Sequence, residues 1–301
     1  MNDKLHKLLA HSGYGSRREI EKWISDGRIV VNGRKAKLGD RAGVKDTILI
    51  DGKPTQLVSQ QKERISALLY HKPEGEICTR KDPKGRPTVF EKLPSIAQGR
   101  WVSIGRLDIN TSGLILFTNN GELANKLMHP STGIEREYLV RIRGKASEKT
   151  IETLTQTGVS IDGKNAVFDS VVHADMAEEG TNHWYRVVIR EGRYREVRRL
   201  WDAVGHSVSR LKRIRYGTIK LARDLKRGQN QKMAPKQLER LVNSVGLSEQ
   251  FSGQLYSSSN KHANKKSTTT KPSAKITRAT TRAKSKNNRP HKTNNRKRVR
   301  P

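Results

Sequence analysis

Between residues 5 and 24 the apolar positions recur at helical spacing. Leu5, Leu8 and Leu9 share one helix face, and Ile20, Trp23 and Ile24 share another. Ser16-Arg17-Arg18-Glu19 introduces the second run as a capping-box pattern, in which the serine and glutamate side chains each satisfy a backbone N–H at the helix start. Asp26-Gly27 ends it. The period then drops to two: residues 28–31 and 47–50 predict strands, with turn signals at Asn32-Gly33 and Asp51-Gly52. The pattern predicts a small module over residues 3–55 and a polar linker over 56–64.

A second domain is predicted over 65–245. Strand-like runs at 67–70, 113–118, 138–142 and 184–189 mix with helical runs at 122–128, 148–157 and 196–203. Strands and helices do not alternate strictly, so the predicted class is α+β rather than doubly wound α/β. From residue 252 to 301 the apolar residues are too scattered to bury a core. That stretch is expected to be a disordered basic tail.

Composition changes the picture in one respect. The formal charge is +32 and the isoelectric point near 10.6. The tail holds 15 Lys and Arg and no Asp or Glu, which leaves +17 on residues 1–251. A body this basic points to a polyanion, nucleic acid or an anionic membrane surface. No stretch approaches the roughly 18 apolar residues of a membrane span, and the first 13 residues are too weakly apolar for a secretory signal. The expectation is a soluble, cytoplasmic protein that meets nucleic acid. Cys78 is the single cysteine, read as a small apolar residue, so no intramolecular disulfide is possible. There is no Walker A pattern, no HExxH and no paired-cysteine zinc spacing. No cofactor and no metal are therefore expected.

The stretch GRLDINTSGLILFTNNGE, residues 105–122, carries the candidate chemistry. Asp108 stands in a polar turn just before the apolar run Leu114-Ile115-Leu116-Phe117. An ionised carboxylate can act as nucleophile or general base. It can equally cap free N–H groups of a turn rich in Asn, Thr, Ser and Gly. Chemistry alone leaves both open, and no second acid nearby makes a glycosidase-type pair.

Two resemblances decide between them. The first helices, with Ser16-Arg17-Arg18-Glu19 and then Gly27-Arg28-Ile29-x-Val31-Asn32-Gly33, resemble the S4 RNA-binding domain. This implies contact with structured RNA through Arg17, Arg18, Lys22 and Arg28. Residues 105–122 resemble the central motif of the RsuA/RluB/RluE/RluF family of ribosomal RNA pseudouridine synthases. His71-Lys72-Pro73-Glu74-Gly75 resembles the first motif of that family, residues 126–138 the tyrosine-bearing segment, and residues 191–200 (EGRYREVRRL) the last motif. The likeness spans residues 3 to about 225. It implies a mixed, mainly antiparallel catalytic sheet flanked by helices, and isomerisation of uridine to pseudouridine without cofactor or metal.

The resemblance also implies roles. Asp108 is the catalytic carboxylate, as nucleophile or base. The target uridine must leave its stack. Arg106 then fills the gap, or simply pairs with Asp108. Tyr138 stacks on the extruded base. Arg198 pairs with Asp108 and keeps it charged, Val197 and Leu200 form an apolar wall, and Arg193, Arg195 and Arg199 meet phosphate. Lys212, Arg213 and Arg215 extend the basic strip. The tail and the S4 helix most resemble the branch acting on large-subunit ribosomal RNA, so that RNA or a pre-ribosomal subunit is the expected partner. A monomer is the default expectation, with no membrane and no small-molecule cofactor. The competing account is a non-catalytic RNA-binding or ribosome-assembly factor. A DNA-binding regulator has little support, since no convincing recognition helix is present.

Overall fold

The computed structural model describes residues 2–57, 64–96, 99–176 and 180–249. Most of the expected linker and the whole of the expected tail lie outside the described residues. In the N-terminal module, α1 (Leu5–His11) and α2 (Arg17–Ser25) pack on a small sheet built around β1 (Ile29–Val31) and β2 (Ile48–Ile50). The capping box forms as predicted: the Ser16 side chain accepts from the Glu19 N–H at 3.1 Å, and the Glu19 carboxylate accepts from the Ser16 N–H at 3.3 Å. Leu5, Leu8, Leu9, Ile20, Ile24, Ile29 and Ile48 close the core, with Trp23 packed partly against it.

The larger domain is built on a nine-stranded sheet. Its strands include β3 (Ala67–Lys72), β4 (Val102–Ile104), β5 (Ser112–Thr118), β6 (Arg136–Arg143), β7 (Ser170–His173), β8 (Asn182–Ile189), β9 (Val208–Tyr216) and β10 (Asn230–Lys232). The order is β7–β8–β6–β9–β5–β3–β10, and β4 pairs with the far part of β5. Only β9 and β5 run parallel; the class is α+β, as the pattern predicted.

Strands β3 and β5 are buried along their whole length, because side chains of alternating direction feed two cores. Leu68, Tyr70, Ile115 and Phe117 enter one, with Leu200 and Trp201 of α5 (Glu196–Ala203). Ala67, Leu69, Leu114 and Leu116 enter the other, with Leu123 and Leu127 of α3 (Gly121–Met128) and Leu241 of α6 (Pro235–Asn243). Helices thus cover both faces of the sheet centre. Gly113 marks where β5 meets β9. Its φ is +110°, and a Cβ there would collide with the Arg213 backbone, so only glycine allows this approach. The segment predicted as one helix over 148–157 is a short α4 (Glu148–Glu152) running into a π-helical turn, Thr153–Thr157. No helix among the described residues is long and apolar enough to cross a membrane.

Candidate active site

The turn between β4 and β5 carries Asp108, and its backbone is fixed from several sides. Lys72, at the end of β3, is fully buried. Its ammonium donates to the carbonyls of Thr111 at 2.8 Å, Asp108 at 3.0 Å and Pro73 at 3.0 Å. Burial holds the Lys72 ammonium below its ordinary pKa, while the carboxylates around it, Asp108 among them, oppose that shift. The Ile109 carbonyl accepts from the Gly75 N–H at 2.8 Å, and the Thr111 N–H donates to the Asp108 carbonyl at 3.1 Å. Arg198, on α5, donates to the Asn110 carbonyl at 2.9 Å and to the Val208 carbonyl at 2.8 Å. Cys78 braces Leu107: its thiol donates to the Leu107 carbonyl at 3.2 Å and accepts from the Leu107 N–H at 3.3 Å. Burial raises that thiol, so it stays protonated.

These bonds hold the Asp108 carboxylate in a cleft of about 870 Å³. It is one-third exposed, and Arg195 Nη1 lies 4.0 Å from its Oδ2. Arg195 opens α5 from a left-handed conformation, φ +50°, uncommon for a side chain of its kind. Tyr138, on β6, and Val197 and Leu211 line the wall, and exposed Arg106 stands at the lip. The arrangement presents the Asp108 carboxylate, the flat face of Tyr138 and a rim rich in arginine to a ligand of nucleotide size, with Asp82, Glu191 and Glu196 also in the lining.

Several expected roles change. Arg195 comes to ion-pair distance of Asp108, whereas Arg198, expected there, gives its guanidinium hydrogen bonds to the Asn110 and Val208 carbonyls and acts on Asp108 only through its charge. Arg106 forms no ion pair with Asp108 among the described residues. Leu200 lies in the core beneath α5 rather than in the cleft wall. Arg193 is not free for phosphate: Glu191 lies at 2.6 Å and the Ile161, Lys164 and Asn165 carbonyls accept from it. Arg199 is bound by both Asp162 oxygens, at 2.7 and 2.8 Å. Arg28 is held by both carboxylate oxygens of Asp51 and stacks over Trp23. Arg213 is buried on the Leu114 carbonyl, and Arg215 pairs with Glu137 and Glu135. Arg17, Arg18 and Lys22 are exposed, as expected of an RNA-binding face. Cys78, expected to be only a small apolar residue, hydrogen-bonds the Leu107 backbone, and Lys72 had no expected role. A lysine ending the run Ala67-Leu68-Leu69-Tyr70-His71 is the signal that marks a buried cation.

Comparison with known proteins identifies the family. Residues 66–203 match the RNA pseudouridylate synthase family, and residues 3–48 match the S4 domain. Ribosomal large subunit pseudouridine synthase B of Yersinia pestis is 51% identical over 230 residues, 76% of this chain and 71% of that protein. Its counterpart in Escherichia coli K12 is also 51% identical, over 76% of this chain and 78% of that protein. The Pseudomonas aeruginosa counterpart is 49% identical over 82% of this chain, which spans 64% of that longer protein. A crystal structure described as pseudouridylate synthase superposes with a TM-score of 0.56 at 25% identity, covering 79% of this chain and 99% of that one. The chain belongs to the RNA pseudouridine synthase family, in the form that carries an N-terminal S4 domain.

Proposed function

We propose that the protein converts a uridine of large-subunit ribosomal RNA to pseudouridine, with Asp108 as the catalytic carboxylate. The observation that carries this is the Asp108 turn itself. A buried lysine, an arginine and a cysteine spend their polar atoms on the turn's backbone, which leaves the carboxylate pointing into a cleft sized for a nucleotide. A turn aspartate that merely capped its neighbours would not need such support. The relatives named as large-subunit synthases supply the substrate class.

In this account the N1–C1′ bond of the extruded uridine breaks, the uracil turns, and a C5–C1′ bond forms while C5 loses its hydrogen to water as a proton and the freed N1 takes one up. Asp108 either attacks C1′ or takes a proton from the sugar; both are within the chemistry of a carboxylate beside a ribose. Tyr138 offers a face for the uracil. Arg195 keeps a positive charge beside Asp108, and Arg106 stands where it can fill the stack left by the base. Arg17, Arg18 and Lys22 add phosphate contacts that weaken with salt. The substrate places this work in the cytoplasm, on free ribosomal RNA or on an assembling subunit.

The test is pseudouridine mapping of both ribosomal RNAs, by carbodiimide treatment and primer extension, in cells lacking the protein. One large-subunit site is expected to vanish, to return with the wild-type chain, and to stay absent with Asp108→Ala. Return of the site with Asp108→Ala would remove Asp108 from the chemistry, and an unchanged map would favour a non-catalytic assembly factor.

A further inference from the structure

The N-terminal module and the larger domain pack as one compact unit, and a second cleft lies where they meet. It encloses about 330 Å³. Its floor is apolar, with Ala10 of α1, Val102 of β4 and Met128 of α3. Its rim is mainly cationic, with Lys7, Arg17 and Arg18 from the module and Arg100 from the larger domain against a single lining acid, Glu122. Among the described residues no carboxylate lies within ion-pair distance of these three arginines. The nearest acid on α2, Glu19, is already spent on the Ser16 N–H.

The placement of these cations is costly as it stands. The Arg17 guanidinium comes to 3.9 Å from where a Cβ on Gly121 would stand, at the first residue of α3. That end of a helix carries partial positive charge, here offset by the Asn120 cap and by Glu122 in the first turn. Arg100 is pushed down by burial; Glu19 opposes that shift and Arg17 adds to it. Like charges drawn from two domains onto one partly buried cleft are stabilised by an anion between them. A surface meant only to hold the domains together would pair them with acids, as Arg193, Arg199 and Arg215 are paired elsewhere in this chain.

Met128, at the end of α3, lines both this cleft and the cleft that holds Asp108, so the two adjoin there and one bound strand can enter both.

We propose that the junction cleft seats the backbone of the same RNA, with a phosphate on Arg17, Arg18 and Arg100 beside the nucleotide held at Asp108. This rests on the function proposed above. It makes the S4 module a ruler as well as an anchor: a phosphate gripped by both domains fixes how far along the strand the target lies. Phosphate contacts set register without reading sequence.

The test uses the full chain with Asp108→Ala, so that no turnover intervenes, and a large-subunit ribosomal RNA fragment containing the mapped uridine. Affinity is measured against salt, and phosphate ethylation interference is read along the strand. Arg17→Gln and Arg100→Gln are each expected to weaken binding about tenfold, as for loss of one charge-assisted contact. Each should lower the salt slope by about one. Both should erase interference at the same phosphate, one distinct from that of the target uridine, and the double variant should lose less than the two effects combined. Arg100→Lys should keep the salt slope, which separates lost charge from lost packing. Unchanged affinity, slope and interference in both Gln variants would overturn the proposal. So would weakened binding to an assembling subunit with unchanged binding to the bare RNA, which would assign the cleft to an acidic protein. Interference at the uridine itself reports on the Asp108 cleft, so its absence strikes the proposed function and leaves the junction phosphate to be judged separately.

Discussion

Two helices of this chain start in runs of arginine, and they use the charge in opposite ways. On α2, Arg17, Arg18 and Lys22 lie exposed, with no carboxylate in ion-pair reach among the described residues. Around α5, Arg193, Arg198 and Arg199 are turned inward, onto Glu191 and three carbonyls, onto the Asn110 and Val208 carbonyls, and onto Asp162. The α2 cations contribute little to the fold and remain available to a polyanion. Of the α5 cations, Arg198 holds the Asp108 turn, and Arg193 and Arg199 are tied to residues 161–165. Arg195 stands between the two groups, at 4.0 Å from Asp108 and facing the cleft. A charge run therefore says nothing about its use until the acids and carbonyls near it in space are known.

The comparison can be broken at its inward end first. Lys72 is the extreme case, a buried ammonium serving the backbone of the Asp108 turn. Lys72→Met removes the cost of burying a charge but leaves those carbonyls without a donor. We expect a net loss of about 3 kcal/mol in stability, read by denaturant unfolding. Activity should fall about 100-fold as the carboxylate shifts. Unchanged activity would mean that the turn holds without the lysine. Arg198→Ala orphans the Asn110 and Val208 carbonyls and should cost about 2 kcal/mol, with a smaller fall in activity and no change in the salt dependence of RNA binding. A reduced salt slope in that variant would place Arg198 with the RNA-facing cations.

Much of this architecture was legible beforehand, and the limits have a physical cause. The Ser16 capping box and the span of α5 follow from local spacing, because helix starts and amphipathic faces are properties of a few consecutive residues. Asp108 stood out because a polar turn met an apolar strand. The partner of Asp108 did not, because Arg195 and Arg198 lie three residues apart on one short segment. Only the left-handed backbone at Arg195 and the position of the Asn110 and Val208 carbonyls, 88 and 10 residues away from Arg198, decide which faces the carboxylate. Likewise the assignment of Arg199 depended on Asp162, 37 residues away in a turn with no motif of its own.

Smaller effects sharpen the same contrast. Arg199→Ala breaks a two-oxygen pair whose acid is largely exposed and screened by solvent, so only a small fall in thermal midpoint is expected. Lys22→Gln should leave that midpoint unchanged and reduce the salt slope of RNA binding; a shifted midpoint with an unchanged slope would reverse the distinction. His71 gives the weakest test, through pH. Its Nδ1 lies 2.7 Å from the Leu225 carbonyl, and burial holds its pKa below the ordinary 6.5. The folded chain then binds fewer protons there than the unfolded chain. Its contribution is full above pH 6.5 and is lost as pH falls through the lowered folded value. His71→Asn should flatten the decline of stability below pH 6.5; an unchanged slope would assign the decline to other groups.

The most direct test of the central claim is tritium release from a large-subunit ribosomal RNA transcript labelled at uridine C5, since forming the C5–C1′ bond expels that hydrogen. The wild-type chain should release one equivalent of tritium per RNA, and Asp108→Asn should bind the same RNA while releasing tritium at least about 10⁴-fold more slowly. Release by Asp108→Asn at a rate near wild type would contradict the account, whatever the affinity of the variant.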